Sequence, residues 1–513
     1  MGRFTGLISN LYNITSIMEK MQNEKMYING EWLNAASGRT YDVTNPATEE
    51  VIAKVPLGGV EDIEKAIDAA REAFDNGPWP RMSPGERAEV ILKLARMVEE
   101  SKSEFSRLET LNTGKPAKQV ADYDIGATID NLKFFAGASR VETGISANEY
   151  IADGTSILRR EPVGVVGVIV PWNYPLMMVG WRAIPPLLMG NTVVLKPASI
   201  TPLTAIKLTR MIDSIGIPKG AFNLVTGPGG TVGEALARSQ KVDMIAFTGS
   251  TDVGTRISSQ ASSTVKKLSL ELGGKAPFIV FDDADIDAAT EGAVVGSLMN
   301  TGQDCGAATR FYVQEKVYDR FVKLLKEKLT RVRVGDPTDM RTDMGPLVSR
   351  DQFNKVKSYI EVAQKEGQVL LSGEPRSKRG YFLSPTLAAV DDDNARIVQE
   401  EIFGPVLSVL KFSTYDEAIK RANNVIYGLA SSVWTKDVRT AMMASRDLRF
   451  GTVWVNDHAP IPSEMPWSPI KRSGFGASTS IFSLEEFTNP KHVYVDLTGK
   501  VRKSWYYQIY GDQ

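Results

Sequence analysis

Between Gly164 and Leu272 one unit recurs, and it narrows the possible folds more than any other feature of the chain: a short aliphatic run, a turn of Gly, Pro or Ser, then a helical segment. The runs Val165 to Val170, Val193 to Leu195, Asn223 to Val225, Met244 to Phe247 and Leu268 to Leu270 read as strands. Strands alternating with helices of this length imply a parallel sheet covered on both faces. Such sheets bind ligands beyond the C-terminal ends of their strands. A second series starts at Pro277, with a strand over Phe278 to Phe281, a helix over Ile286 to Met299, a strand near Arg310 to Val313 and a helix over Val317 to Val332. It predicts a second α/β domain, joined to the first through Gly273-Gly274.

At 513 residues the chain is too long for one ordinary core, which agrees with two large domains. The 60 basic and 61 acidic residues nearly cancel, so no global field draws it to nucleic acid or anionic lipid. Small molecules are the expected partners. The longest apolar run, Val163 to Val170, is strand length and far from a membrane span. Within residues 1–25, Leu7, Ile8, Leu11, Ile14 and Ile17 are spaced as on one helix face, which predicts a short amphipathic extension. Without a small-residue cleavage site after it, a cytoplasmic location is expected.

Apolar spacing of three and four predicts helices over Ile63 to Phe74 and Gly85 to Glu100. Tyr150-Ile151 and Ser156-Ile157-Leu158 flank Asp153-Gly154 as in a hairpin. A late strand, Glu485 to Asp496, is expected to pair with that hairpin or with a neighbouring subunit.

One cysteine excludes an internal disulfide, and two histidines are too few for most imidazole-rich metal sites; no metal is expected. Chemistry must run on carboxylates, lysines, one thiol or a borrowed cofactor. A lone cysteine is more often an inert buried residue than a nucleophile, but Cys305 lies in Gly302-Gln303-Asp304-Cys305-Gly306, a small-residue loop between a helix and a strand. Backbone N–H groups there could stabilise a thiolate and an oxyanion. In Glu271-Leu272-Gly273-Gly274-Lys275 a carboxylate follows an apolar strand; burial would raise its pKa and make it a general base, and pairing with Lys275 is the plainer alternative. Asn173, between Pro171-Trp172 and Tyr174-Pro175, could donate to an oxyanion. Lys196-Pro197-Ala198-Ser199 and Phe247-Thr248-Gly249-Ser250 follow strands and suit ribose and phosphate. Gly227, Gly229, Gly230 and Gly233 crowd another turn without forming the usual G-x-G-x-x-G pattern.

Together these segments resemble the aldehyde dehydrogenase superfamily from about Tyr27 to Asp496, with Glu401-Ile402-Phe403-Gly404-Pro405 completing the ordered set. The resemblance implies an α/β fold of two Rossmann-like doubly wound domains, one for cofactor and one for catalysis, plus a β-arm for oligomerisation into dimers or tetramers. The corresponding division is 26–144 with 163–273 for cofactor, 274–472 for catalysis, and 145–162 with 473–513 for the arm and tail. It further implies that Cys305 is the nucleophile, that Asn173 and the Cys305 amide form the oxyanion site, and that Glu271 activates the deacylating water. NAD or NADP would be held by Pro171, Trp172, Lys196, Ala198, Ser199, Gly229, Phe247, Gly249, Ser250, Val253, Leu272 and Glu401, with Phe403 by the nicotinamide. Ser199 stands where strictly NAD-using relatives often carry glutamate, so NADP is expected to be accepted.

Within that superfamily the likeness is nearest to aminobutyraldehyde and betaine-aldehyde dehydrogenases, through Pro171 to Met178, Trp181, Ala430 to Asp437 and Ser463-Glu464-Met465-Pro466. Tyr174 and Trp181, with Trp467, would wall a cationic substrate tail; Asp124 and Glu464 would offset its charge at the tunnel mouth. Broad-specificity, glyceraldehyde or succinate-semialdehyde oxidation are the alternatives, and a non-enzymatic binding protein on this fold is a distant one. Hydrolytic turnover is favoured over phosphorylating or CoA-acylating chemistry because only hydrolysis needs Glu271.

Overall fold

A computed structural model describes residues 22–141 and 147–510, so the helix expected around Leu7 to Ile17 lies outside the described residues. Val60–Asp75 and Pro84–Glu100 form the two expected helices. The second is opened by a reciprocal cap, in which the Ser83 N–H donates to the Glu86 carboxylate at 2.7 Å and the Glu86 N–H to the Ser83 hydroxyl at 3.3 Å.

The first large sheet has eight strands. Its central five, in spatial order Lys267–Glu271, Met244–Thr248, Val165–Ile169, Thr192–Lys196 and Phe222–Leu224, run parallel. The chain enters mid-sheet at Val165–Ile169, winds outward to Phe222–Leu224, then crosses back to Met244–Thr248. The order therefore reverses between Val165–Ile169 and Met244–Thr248, which opens a crevice at their C-terminal ends. Alternate residues face opposite sides: Val166 and Val168 pack with Leu176 and Ile184 of the helix Pro175–Leu188, whereas Val165 and Ile169 pack with Ile63 and Ile67 of Val60–Asp75. Both faces being covered explains why these strands read as aliphatic runs.

The second sheet has seven strands, in spatial order Gln368–Leu371, Thr386–Ala389, Val406–Phe412, Ala308–Gln314, Ala276–Val280, Ala430–Trp434 and Thr452–Val455. Only the first pair is antiparallel. Phe278 and Val280 face the helices Ile286–Leu298 and Glu315–Thr330, and Ile279 faces Arg350–Glu366. Both sheets are thus doubly wound, as expected.

The hairpin forms between Ala147–Ile151 and Gly154–Pro162, and Thr488–Asp496 pairs antiparallel along the whole second strand. The late strand begins at Thr488 rather than Glu485. Glu485 and Glu486 end the helix Ser480–Glu486, whose Ser480, Ser483 and Leu484 are buried on one face. The segment before that helix, Gly474–Phe475, returns to pair with Lys267–Glu271 at the edge of the first sheet. No helix among the described residues is long and apolar enough to cross a membrane.

Candidate active site

Cys305, Asn173 and Glu271 line one cavity of about 210 Å³ between the two sheets. Asn173 follows the central strand Val165–Ile169, Glu271 ends Lys267–Glu271, and Cys305 lies on the loop entering Ala308–Gln314. The crevice created by the winding of the first sheet is therefore closed by the second.

The loop that carries the thiol is held in an unusual conformation. Asn300, Thr301 and Gly302 have φ of 51°, 60° and 70°, three consecutive residues in the left-handed region. A Cβ on Gly302 would come within 2.7 Å of the Gly404 backbone, so glycine is required there. The Asn300 amide donates to the carbonyls of Asn173 at 2.9 Å and Gln303 at 3.1 Å, and the Gln303 carboxamide accepts from the Val348 N–H at 2.9 Å. Asn173 donates one amide hydrogen to the Gln303 carbonyl at 3.1 Å, which leaves the other for the cavity. Behind the loop, buried His458 places its Nε2 2.8 Å from the Gly306 carbonyl and stays neutral, its pKa pushed down to about 4 by burial.

Burial raises the Glu271 carboxyl to about 7, against the pull of the Arg182 guanidinium and the Ser478 hydroxyl and with the push of Glu486. Its Oε1 is buried without a hydrogen-bond partner among the described residues. Pairing with Lys275 is not what the fold provides: Lys275 Nζ is buried without a hydrogen-bond partner among the described residues, its pKa depressed to about 7 by burial and then by Arg310. Burial also pushes the Cys305 thiol well above its ordinary value, and Asp304, Glu271 and Glu401 push it further. The Cys305 N–H pulls the other way and does not outweigh these, so the surroundings favour the thiol over the thiolate.

Along the same cavity run Pro171, Trp172, Gly249, Ser250, Leu272, Glu401 and Phe403. Glu401 Oε1 accepts the Gly274 N–H at 2.8 Å, and a Cβ on Gly273 would meet Oε2 at 2.5 Å. Phe403, at φ 61°, sets its ring edge-on to Trp172 with centroids 5.2 Å apart. Beyond the wall, Lys196 ends its strand as a buried amine depressed to about 8 by burial, and Ala198 and Ser199 follow, the Ser199 hydroxyl donating to the Gly227 carbonyl at 2.8 Å. Phe247 is buried near the end of Met244–Thr248, Val253 is exposed in the first turn of Thr251–Ala261, and Gly229 with Gly230 offers backbone facing open space. A buried carboxylate on the cavity wall, and a buried amine, a hydroxyl and bare glycine backbone at the strand ends and following loops beyond it, are the hydrogen-bonding groups a dinucleotide needs, so the residues fit NAD(P).

Of the expected substrate residues, Tyr174, Trp181 and Trp467 line the cavity. Asp124 does not reach its mouth: it is 1% exposed and its carboxylate is taken by Lys115, which also lies 4.1 Å over the Tyr174 ring. Glu464 is exposed and outside the wall. Besides Glu271 and Glu401, the carboxylate that lines the cavity is Asp304, joined there by Tyr123 and Ile461. Its place directly before the only cysteine was the available signal. Arg182 was missed too, although it is the single charge in the otherwise apolar helix Pro175–Leu188.

Residues 32–493 match the aldehyde dehydrogenase family. Betaine aldehyde dehydrogenase of Bacillus subtilis (strain 168) is 42% identical over 478 residues, covering 92% of this chain and 97% of that protein. A mitochondrial benzaldehyde dehydrogenase of Antirrhinum majus is also 42% identical, covering 92% and 89%. Among solved structures, betaine aldehyde dehydrogenase from Staphylococcus aureus in complex with NAD+ superposes with a TM-score of 0.91 at 38% identity, covering 93% of this chain and 95% of that one.

Proposed function

Because this chain belongs to the aldehyde dehydrogenase family and oxidises aldehydes with NAD(P), we propose that its own substrate is an aldehyde bearing a cationic nitrogen, such as 4-aminobutanal or betaine aldehyde. Identity alone does not choose the substrate, since relatives named for betaine aldehyde and for benzaldehyde stand equally near. The observation that carries the proposal is the wall of Tyr123, Tyr174, Trp181 and Trp467, four rings lining the cavity that holds the thiol. Ring faces attract ammonium groups and gain more in a desolvated site.

In this reading Cys305 Sγ, once ionised, adds to the aldehyde carbon, and the carbonyl electron pair moves onto oxygen. The free amide hydrogen of Asn173 and the Cys305 N–H stabilise that oxyanion. A bound NAD(P) would supply the acceptor for the hydride on the former aldehyde carbon. Glu401 and Lys196 would hold its ribose hydroxyls, and Phe403 would pack beside its nicotinamide. The thioester left on Cys305 is hydrolysed when Glu271 draws a proton from water; hydroxide adds to the carbonyl carbon, the C–S bond breaks, and the acid departs. Neutral Ser199, in place of a carboxylate, supports use of NADP beside NAD. The reading extends to a homo-oligomer joined through the three-stranded arm.

Reduced-cofactor absorbance tests this with NAD and NADP against 4-aminobutanal, betaine aldehyde, succinate semialdehyde, glyceraldehyde and hexanal, alongside Cys305→Ala. A preference for the two cationic aldehydes, abolished in the variant, is expected. Equal or greater kcat/KM with hexanal would discard the cationic substrate and leave the family chemistry intact.

A further inference from the structure

Three carboxylates line the cavity together with Cys305. Glu271 approaches from the end of Lys267–Glu271, Glu401 from the loop before Val406–Phe412, and Asp304 from the thiol's own loop. Glu401 is held by the Gly274 N–H. Asp304 is pinned at both oxygens: Oδ2 accepts the Tyr174 hydroxyl at 2.6 Å and Oδ1 the Gly306 N–H at 2.7 Å. Neither bond neutralises it, and no lysine, arginine or histidine among the described residues forms an ion pair with it. The cation behind the Tyr174 ring, Lys115, is already committed to Asp124 and lies near Glu109. Asp304 is thus a positioned carboxyl without a direct ion-pair partner, in a wall that it shares with Tyr123, Tyr174, Trp181 and Trp467; burial favours its protonated form, Lys115 behind the ring favours the carboxylate, and Lys355 is the cation on the same cavity's lining.

We propose that Asp304 is a specificity-determining residue that couples recognition of the substrate's positive group to activation of the nucleophile. Its carboxylate opposes ionisation of the neighbouring thiol while no cationic ligand occupies the cavity, and a positive group among the rings offsets that opposition. On the wall of a partly enclosed cavity, a charge on the adjacent residue is screened less than in bulk water. The free enzyme then keeps its sulfur protonated and slow to react, and a neutral aldehyde meets a less reactive nucleophile than a cationic one does. The inference rests on the cationic-substrate reading and adds a cause for it.

Cys305 is the only cysteine, so alkylation of the whole protein reports on it alone. The pH profile of iodoacetamide labelling is measured without cofactor, in tetramethylammonium chloride and in sodium chloride at equal ionic strength. Wild type is expected to show a midpoint above that of an ordinary cysteine, about 8.5, moving down in tetramethylammonium. The midpoint of Asp304→Asn, which keeps an acceptor for the Gly306 N–H, is expected to start lower and not to respond. Wild type that ignores tetramethylammonium overturns the proposal without recourse to any variant. In parallel, kcat/KM is compared for 4-trimethylammoniobutanal and its uncharged isostere 5,5-dimethylhexanal. The wild-type ratio is expected to favour the cation, and Asp304→Asn to lower it at least about ten-fold. A wild-type ratio near one removes the cationic-substrate reading itself. A strong wild-type ratio that survives in Asp304→Asn with an unmoved labelling midpoint leaves that reading standing and overturns the role of Asp304.

Discussion

Glu271 binds its proton more tightly in the folded chain than in an unfolded one, because burial outweighs the attraction of Arg182. A displacement from 4.5 to about 7 corresponds to roughly 3 kcal/mol. Below pH 4.5 the carboxyl is protonated in both states and costs nothing. Between pH 4.5 and 7 the unfolded chain releases its proton first, so stability falls as pH rises, and beyond pH 7 the full penalty remains. Glu271→Gln is therefore expected to melt higher than wild type at pH 8, with the gap closing toward pH 4.5. The same displacement fixes activity in the opposite sense, since only the ionised carboxylate can draw a proton from water. Wild-type hydrolytic turnover should rise with pH to a plateau just above 7, whereas Glu271→Gln should lose at least about 10²-fold in kcat and accumulate a thioester visible as added mass on Cys305. A variant that is neither more stable nor slower would remove Glu271 from the mechanism. Its importance was legible in the sequence from an acid beside an apolar run. What held it was not: Arg182 bonds Ser478 at 2.8 Å and Ser269 at 2.8 Å, from segments far apart along the chain. Asp124 was misread for the same reason, because sequence spacing does not reveal which lysine meets a carboxylate.

At the scale of elements, hydrophobic patterning anticipated the five parallel strands of the first sheet and two of the second, Ala276–Val280 and Ala308–Gln314, because these are covered on two faces, and the turns after the first five fall where the crevice opens. The loop 299–306 carries no such pattern. Its left-handed residues cost about 1–3 kcal/mol each where they are not glycine, and the conformation persists because the Asn300 side chain bonds two carbonyls at once. Asparagine tolerates this backbone better than most residues, so Asn300 both adopts the turn and fastens it to Asn173. Asn300→Ala is expected to let the loop relax, displacing Cys305 from the Asn173 amide. Steady-state assays should show kcat/KM lower by roughly 10²-fold, with the far-UV circular dichroism of the two sheets retained. Unaltered kinetics would mean that packing against Gly404 suffices to hold the loop.

Over the whole molecule, the three-stranded arm is the part that burial within one chain does not explain. Tyr150 and Ile151 are each 62% exposed, and Tyr494, Val495 and Leu497 extend the apolar surface on the same small sheet. The hairpin was readable from Asp153-Gly154, and its third strand from the late run ending at Asp496; what the strands pair against beyond themselves was not, because one chain presents only half of any interface. A three-stranded ribbon gains little from its own packing, and Ala147–Ile151 leaves an edge free for pairing among the described residues. Burying an aromatic and an aliphatic side chain yields about 1.5–3 kcal/mol each, and a two-fold interface counts each contribution twice. Sedimentation velocity is therefore expected to find wild type as a dimer or larger, and the double variant Tyr150→Lys, Ile151→Lys with a dissociation constant raised at least about 10²-fold. The variant's own fold can be checked by its binding of NAD, because the crevice residues lie on other elements. A monomeric wild type, or a double variant that assembles as tightly, would place the contact away from the arm.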